Sequence, residues 1–319
     1  MFALTTRLIL RRSPAGRLLA GAVAGLLPLG WGAGPLPAQV IPVPNGSFES
    51  PATTFVSINI NSWEKSPKPD WYVESGGFLW SQLTGLFKNT PPTAADHIDN
   101  LHGNQALWLF AVPEVAMFQD FYSMDWNDSV PTHEFDVRFQ VGRSYHLTVG
   151  VIGGNGGMVE GATLDLRMFY RDPGGHRVTV ARTTITNSPV IFSNTTHLLD
   201  FEVHVPRVRA DDAWAGQNLG IEFCSTVSTN LQGGYWDLDN VRLFAGPALL
   251  DPAWADGQFQ FTLRSEPGLR FGILTTTNAA LPDSSWNQIG TFTNVTGTGR
   301  FTDPASGVNQ RFYRAQELP

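Results

Sequence analysis

Short segments of this 319-residue chain alternate between apolar and polar side chains. Residues 199–205 (LDFEVHV), 164–170 (LDLRMFY) and 145–151 (YHLTVGV) each place an apolar side chain at nearly every second position. A period of two is that of an extended strand with one face buried and the other in solvent. Helical spacing of apolar residues is nearly absent. The pattern therefore predicts an all-β chain built from half-buried antiparallel strands.

Turn-forming residues divide the chain into further strand candidates. These lie at residues 106–111, 115–121, 178–186, 219–226 and 235–244. Clusters of glycine, proline and asparagine separate them, as expected for turns. About ten strands fit two antiparallel sheets packed face to face, because each half-buried sheet needs a second layer over its apolar side. Residues 39–245 are therefore predicted to form one β-sandwich.

A proline-containing segment, residues 246–254, interrupts the strand pattern after the predicted sandwich. Proline is rare inside sheets because it lacks a backbone donor, so the segment is predicted to be a linker. Residues 255–319 are predicted to form a small C-terminal β module. Its strand candidates are residues 258–264, 270–275, 286–293, 299–302 and 311–315. A module of this size buries little core and is expected to lean on the larger domain.

The N-terminal segment has the composition of a secretory signal peptide. Residues 1–38 carry four arginines, no acidic residue and an apolar run from residue 18 to 31. The small residue Ala38 predicts cleavage before Gln39. The run is shorter than the roughly 20 residues that span a bilayer, so no membrane insertion is expected after cleavage. The mature chain is predicted to be secreted, periplasmic or located at the cell surface.

The charge balance excludes two classes of partner. Loss of residues 1–38 leaves 17 basic against 28 acidic residues, a formal charge of −11. Such a chain repels phosphate backbones and anionic headgroups, so neither nucleic acid nor an anionic membrane is expected to bind. The single cysteine, Cys224, cannot form a disulfide within the chain. Stability must therefore come from buried apolar area, with help from a metal if one is bound.

Two segments at opposite ends of the predicted sandwich resemble one family. Residues 44–51 (PNGSFESP) and 236–243 (WDLDNVRL) look like the first and last strands of the galactose-binding-like jelly roll of many carbohydrate-binding modules. Residues 103–108 (GNQALW) and 142–149 (GRSYHLTV) resemble inner strands of that superfamily. The resemblance covers about residues 41–244 and implies a jelly-roll β-sandwich. Function stays open, because this scaffold hosts lectin-like modules, cell-wall proteins and a few cyclases that make hapalindole-type alkaloids.

The C-terminal module resembles a second family, an accessory β-sandwich found at the ends of exported bacterial proteins. The matching features are residues 274–278 (LTTTN), residues 301–304 (FTDP) and the terminal run Arg311-Phe312-Tyr313-Arg314. This resemblance implies a fold for the module and no activity.

A structural calcium site is the metal centre that the jelly-roll resemblance implies. In the families resembled, an acidic residue of the first strand and an aspartate of the last strand lie side by side and bind the ion. These positions match Glu49 and Asp239, with carbonyls near Asn45 or Ser47 as further ligands. Calcium prefers six to eight such oxygens. The alternative is that Asp239 only forms hydrogen bonds to a neighbouring strand or turn.

Three tryptophans lie in segments rich in proline, serine and asparagine: Trp71, Trp80 and Trp126. Such segments are expected in loops or at sheet margins. An exposed indole stacks on the apolar face of a sugar ring, so the three are candidate ligand-binding residues for a polysaccharide or cell-surface glycan. The alternative is that the segment from residue 58 to 100 folds over a sheet and buries these rings in the core.

No motif in the chain specifies a reaction. The seven histidines form neither a His-Glu-x-x-His nor a Ser-His-Asp arrangement, residues 96–102 (DHIDNLH) match no zinc spacing, and the run 153–157 (GGNGG) predicts a turn.

Three functions remain open on these grounds. The first expectation is an exported non-catalytic module that binds carbohydrate or another cell-surface polymer. The second is an enzyme on the same scaffold, either glycan-active or cyclase-like, with Asp237 or Asp239 as an acid. The third is a purely structural surface protein. A buried carboxyl with a raised pKa in an aromatic pocket would favour the enzyme.

Overall fold

The structure is a computed structural model that describes residues 39–75, 77–125, 130–255, 258–303 and 311–318. These residues belong to one compact unit and form 18 β-strands, three short 3-10 helices and no α-helix. The all-β expectation is confirmed. The predicted signal peptide, residues 1–38, lies outside the described residues. No helix within the described ranges is long and apolar enough to cross a membrane.

Twelve strands form the jelly-roll sandwich. In chain order they are β1 (Gln39–Ile41), β2 (Val56–Ser57), β3 (Glu64–Lys65), β4 (Thr84–Lys88), β5 (Gln105–Phe110), β6 (Ala116–Gln119), β7 (Tyr145–Asn155), β8 (Thr163–Arg171), β9 (Arg177–Thr186), β10 (Leu199–Val205), β11 (Gly220–Ser225) and β12 (Tyr235–Ala245). Sheet A has the strand order β10-β7-β12-β5-β4-β2, and β1 also pairs with β12. Sheet B has the order β3-β6-β11-β8-β9. The 3-10 helices of this part are Trp80–Gln82 and Thr229–Leu231.

The main core lies between the two sheets and is made by alternate residues of their strands. Leu147 of β7 and Leu238 of β12 face it from sheet A, and Leu166 of β8 and Phe223 of β11 face it from sheet B, all fully buried. Burying each such side chain contributes roughly 1.5–3 kcal/mol. This burial explains the period of two in the sequence. The side of sheet A that points away from this core is called its outer face below.

Six further strands form two small sheets after the sandwich. They are β13 (Ala248–Ala255), β14 (Gln258–Arg264), β15 (Arg270–Thr276), β16 (Asn287–Thr293), β17 (Thr298–Asp303) and β18 (Phe312–Leu318), with a 3-10 helix at Asp283–Ser285. The strand orders are β13-β14-β17 and β16-β15-β18. Phe261, Phe271 and Ile273 are buried in one small core that draws on both sheets.

The segment predicted as a linker is a strand instead. Residues 248–255 pair with β14, and only Gly246 and Pro247 separate β12 from β13. The pairing register between β13 and β14 shifts between Leu250 and Ala253, around Pro252. Because proline has no backbone N–H to donate, it is tolerated in a strand at such an irregularity. The proline that suggested a break between domains therefore marks an irregularity inside a strand.

Candidate functional site

Two aspartates of β12 lie on the outer face of sheet A. Leu238 between them points into the main core, so the pleat of the strand turns Asp237 and Asp239 the other way. Asp237 lies opposite Trp108 of β5 and opposite Ile152 of β7 in the pairing register. Residues opposite one another share a face, so Asp237 lies on the same face as Trp108 and Ile152. The Trp108 indole itself extends over Gly85 of β4, on the side of β5 away from β12.

The Asp237 carboxyl is buried, with 3% of the residue exposed. Its Oδ2 accepts a hydrogen bond of 2.6 Å from Nδ2 of Asn155, the last residue of β7. Its Oδ1 is also buried and has no hydrogen-bond partner within the described part of the chain. Burial disfavours the carboxylate and raises the pKa of Asp237 to about 7, although the bond from Asn155 acts in the opposite direction. The group therefore keeps its proton at pH values where ordinary aspartates have lost it.

Partly exposed aromatic side chains continue from this acid along the outer face. Phe78, Phe110 and Tyr235 form an aromatic strip, with ring centroids 5.2 Å apart for Phe78 and Phe110 and 5.9 Å apart for Phe110 and Tyr235. Burial and the charge of Asp237 raise the pKa of Tyr235. With the indole of Trp108, the strip gives the acid an apolar and electron-rich neighbourhood.

Residues 96–101 cross the outer face beside the acid. Ile98 packs against Ile152 and Leu198 in a small cluster separate from the main core. Asn89 fixes this segment, since its side chain binds both the N–H (3.1 Å) and the carbonyl oxygen (2.8 Å) of Ile98. The segment covers Ile152, which lies opposite Asp237, and helps to exclude water from that part of the sheet.

Glu49 and Asp239, the two predicted metal ligands, bind the same short stretch of backbone. Oδ2 of Asp239 accepts a hydrogen bond of 2.6 Å from the N–H of His102, and Oε1 of Glu49 accepts bonds of 2.7 and 2.8 Å from Asn104 and Gln105. Asp239 is fully buried, and its Oδ1 has no hydrogen-bond partner among the described residues. Burial raises the pKa of Asp239 to about 7, and the nearby charge of Glu49 adds to the rise. A cation bound by both groups would relieve this unfavourable pairing.

The turn after β1 ties the first segment to β12. Asn45 adopts a φ of 48°, and its Nδ2 donates to the carbonyls of Ser50 (2.7 Å) and Asn61 (2.8 Å). The N–H of Val241 donates a 2.8 Å hydrogen bond to the carbonyl of Gly46. No group of three or more His, Cys, Asp or Glu side chains that could hold a metal ion occurs among the described residues. Further ligands to a cation at Glu49 would therefore be backbone carbonyls or water.

Comparison with known proteins connects this arrangement to a family. The family described as HpiC1-like, HpiC1 cyclase, matches residues 39–244, more than half of the chain. The chain belongs to the HpiC1-like cyclase family. Membership favours the second expected function, the cyclase-like enzyme, over the non-catalytic binding module that came first.

Solved structures similar to this cyclase-family chain include cyclases and a carbohydrate-binding module. A cyclase from Fischerella sp. TAU is 20% identical, with a TM-score of 0.47, and the match covers 66% of this chain and 98% of the other. The Stig cyclase Fisc of the same organism, in complex with (3Z)-3-(1-methyl-2-pyrrolidinylidene)-3H-indole, is 20% identical, with a TM-score of 0.48 and coverages of 66% and 99%. The module CBM28, specific for non-crystalline cellulose, is 14% identical, with a TM-score of 0.29 and coverages of 46% and 79%. No curated protein matches the sequence.

The three tryptophans predicted to bind carbohydrate have different positions. Trp71 is 43% exposed, and its Nε1 donates a hydrogen bond of 3.1 Å to Oε1 of Glu114. Trp80 is 7% exposed, packs in the main core and donates a 2.7 Å bond to the carbonyl of Ser66. A buried indole offers no free ring face to a sugar, so the position of Trp80 agrees with the alternative expectation of burial. Trp126 lies outside the described residues.

Two cavities lie away from the outer-face acid. One, of about 310 Å³, is lined by Phe135, Arg143 and other residues, and the second, of about 260 Å³, is lined in part by Lys65. Lys65 Nζ donates hydrogen bonds of 2.5 and 2.6 Å to the carbonyls of Ser81 and Thr84, which joins β3 of sheet B to sheet A. Asp237 does not line either of these two cavities.

Sequence reasoning identified the aspartates of β12 but missed their partners. Asn155 lies in the run GGNGG, which predicts a turn, yet it is the last residue of β7 and lies opposite Tyr235. The pairing of two distant strands determines this contact, and no local pattern reveals it. One signal was available for Tyr235, because residues two apart on a strand share a face. Tyr235 and Asp237 could therefore have been placed together.

Proposed function

We propose that this chain is an enzyme that protonates a small apolar substrate from Asp237 and closes a ring in it. The observation that carries the proposal is the Asp237 carboxyl, buried on the outer face with Oδ2 held by Asn155 and Oδ1 unpaired. An accepted hydrogen bond favours the carbonyl form of Oδ2, so the acidic proton resides on Oδ1. Membership of the HpiC1-like cyclase family supports this role.

The proposed reaction is a proton transfer followed by ring closure. The Oδ1 proton adds to a carbon–carbon double bond of the substrate and leaves Asp237 as a carboxylate, which the Asn155 N–H stabilises. The resulting carbocation lies near the ring of Tyr235, whose π face stabilises positive charge. A second π bond of the same molecule attacks the cation and forms the new carbon–carbon bond. The carboxylate then removes a proton, so the acid is restored and the product is an isomer of the substrate.

Replacement of the acid tests this assignment. Asp237→Asn keeps the shape of the side chain but has no acidic proton, so product formation should fall by about 100-fold or more. The substrates are indole-bearing alkenes, chosen because a Fischerella cyclase has been solved with an indole ketone, and products are separated by chromatography. Asp200→Asn removes a half-exposed carboxylate of the same sheet and is the matched control. Unchanged turnover by the Asp237→Asn protein would refute the role of Asp237.

Carbohydrate binding is a second candidate, favoured by the exposed ring of Trp71. Its indole packs edge-on against Tyr72, with centroids 5.8 Å apart, and remains 43% exposed. Two probes separate the candidates: non-crystalline cellulose, and 4-(1H-indol-3-yl)butan-2-one, with which a Fischerella cyclase was solved. If the protein is a carbohydrate-binding module, it should bind cellulose, and the Trp71→Ala protein should bind cellulose more weakly. A cyclase should bind the indole ketone, with equal affinity in the Trp71→Ala protein.

We further propose that Glu49 and Asp239 hold a structural calcium ion. Their shared backbone segment and the unpaired Oδ1 of Asp239 support this assignment. The ion would supply positive charge between two carboxylates and thereby join the first turn to β12. Because a ligand that binds only the folded state stabilises it, added calcium should raise the Tm and a chelator should lower it. Asp239→Asn should abolish the response, whereas a Tm indifferent to both additions would eliminate the site.

Export of the chain remains a proposal that rests on residues 1–38. We expect protein recovered from the producing cell to begin at Gln39 and to be secreted, periplasmic or bound at the cell surface. Intact mass of the recovered protein measures this directly. A mass that still includes residues 1–38 would count against cleavage.

A further inference from the structure

The C-terminal strands meet the sandwich at a cluster of charged and imidazole side chains, far along the outer face from Asp237. On the sandwich side, Nδ1 of His146 in β7 lies 2.8 Å from Oε1 of Glu202 in β10. The ring of His204 in β10 stacks on that of His146, with centroids 4.5 Å apart and planes inclined by 23°. We call this cluster, together with Arg264 and Glu266 from the C-terminal side, the histidine joint.

Ion pairs cross the joint from the C-terminal strands. Arg264 of β14 pairs with the second carboxylate oxygen of Glu202. Oε1 of Glu266 lies 3.3 Å from Nε2 of His204 and accepts a 3.2 Å hydrogen bond from the N–H of Arg207. Arg207 also pairs with Glu317 of β18. Ion pairs therefore connect the C-terminal strands to the sandwich, and such contacts respond to any new charge.

Burial disfavours positive charge on both imidazoles of the closed joint. His146 donates from Nδ1 to Glu202, and its Nε2 is buried with no hydrogen-bond partner in the described part of the chain, so a proton there would find no acceptor. Burial lowers the pKa of His146 to about 4. The charge of Arg264 lowers it further, and the charge of Glu266 acts in the opposite direction. Burial and the neighbouring His146 also lower the pKa of His204. A second proton on His146 would place positive charge near Arg264, and protonation of both rings would stack two positive charges on each other.

We infer that the histidine joint is an acid-sensitive latch: protonation of His146 and His204 releases the C-terminal strands from sheet A. A proton on His146 would repel Arg264, compete for Glu202 and leave a buried N–H without an acceptor. The other charged groups that face the two histidines are Glu266 and, further away, Arg207 and Glu317. Gly246, at a φ of 89°, begins the two-residue connection to β13 and provides the pivot.

The direction of the pH effect follows from the lowered pKa values. The closed joint binds fewer protons than the open one, so closure is fully favoured above pH 6.5 and is lost as the pH falls from 6.5 towards 4. If opening returns His146 to its usual value, closure at pH 5 is disfavoured roughly 30-fold relative to pH 7.5. Ordinary carboxylates titrate near pH 4. Asp237 and Asp239, whose pKa burial raises to about 7, also titrate in this interval, so variants of the two histidines are needed to assign the effect to the joint.

Small-angle scattering of the full chain at pH 7.5 and pH 5 tests the latch. We expect a larger radius of gyration at pH 5, with far-UV circular dichroism unchanged. The double variant His146→Gln/His204→Gln should lose this response, because its side chains do not titrate. His176→Gln is the control, since that side chain is 80% exposed and pairs with Asp172, away from the joint.

Several outcomes would overturn the inference. An equal radius of gyration at pH 7.5 and pH 5 would mean that no latch opens between these pH values. A full response in the double variant assigns the pH effect to other groups. If the double variant does not fold, His204→Gln alone must reduce the response, and a full response in that protein also refutes the role of the pair.

Discussion

Asp237 and Asp239 are two residues apart on one strand and have different neighbours. Asp237 receives its hydrogen bond from a side-chain amide, that of Asn155, whereas Asp239 receives one from the backbone of His102 and lies near Glu49. An amide partner leaves a neutral acid able to donate, while a second carboxylate creates a site for a cation. The identical side chains thus suit different tasks because of their contacts.

Trp80 and Trp71 should respond oppositely to truncation. Trp80→Ala removes a core indole and should lower the free energy of unfolding by about 3–5 kcal/mol. Trp71→Ala removes a half-exposed ring and should lower it by less than about 1 kcal/mol. Urea denaturation of both proteins measures the difference. Equal losses would mean that Trp71 is also part of the core and is unsuited to ligand binding.

Gly85 shapes the neighbourhood of the acid through Trp108. A Cβ at Gly85 would lie 2.3 Å from the indole of Trp108 and 2.5 Å from the carbonyl oxygen of Ser57, so Gly85→Ala forces the ring and the neighbouring backbone to move. We expect a shift in tryptophan fluorescence and a loss of stability of about 1–3 kcal/mol. Gly77→Ala, where a Cβ would meet nothing within 4 Å, is the control. Spectra that are identical for both variants would show that the ring is not held against β4.

At the scale of elements, a buried glutamine joins the first turn to sheet A. Gln105 of β5 donates from Nε2 to the carbonyls of Phe48 (2.9 Å) and Pro51 (3.2 Å), and its Oε1 accepts from the N–H of Thr53. Gln105→Leu leaves these groups unpaired and should cost about 2–4 kcal/mol of unfolding free energy. Gln232→Leu, at an exposed position, should change it by less than about 0.5 kcal/mol. A small effect at Gln105 would imply that water replaces its hydrogen bonds.

The strands were predictable from the sequence because most are half-buried and therefore alternate. The segment 199–205 shows this, since its apolar positions turn to the main core and its charged ones to the outer face. The segment 246–254 was misread because a proline inside a strand and a proline in a linker look alike locally.

The candidate site was predictable only in part. The jelly-roll resemblance gave the positions of Glu49 and Asp239. The unpaired oxygens and the role of Asn155 depend on packing between distant strands, which no local pattern encodes.

At the scale of the whole molecule, the sandwich should fold without the C-terminal strands. Its buried apolar cluster ends at Ala245 and shares no residue with the cluster of the C-terminal sheets. A chain shortened to end at Gly246 should melt cooperatively and keep its near-UV circular dichroism. The imidazole of His146 would gain solvent and should titrate closer to pH 6.5 by NMR. An insoluble or molten shortened chain would mean that the C-terminal sheets are part of the folding unit.

The central position of β12 has a consequence for the timing of folding during synthesis. It is the last strand of the sandwich to be made, yet it lies between β7 and β5 and pairs with β1, where Gln39 is opposite Ala245. Until it arrives, sheet A consists of three separate pieces: β10-β7, β5-β4-β2 and β1 alone. Joining residues so distant along the chain is slow, because loop closure costs entropy before the contacts repay it. Sheet A therefore stays incomplete until β12 is available, and the strand that completes the sheet also delivers both aspartates.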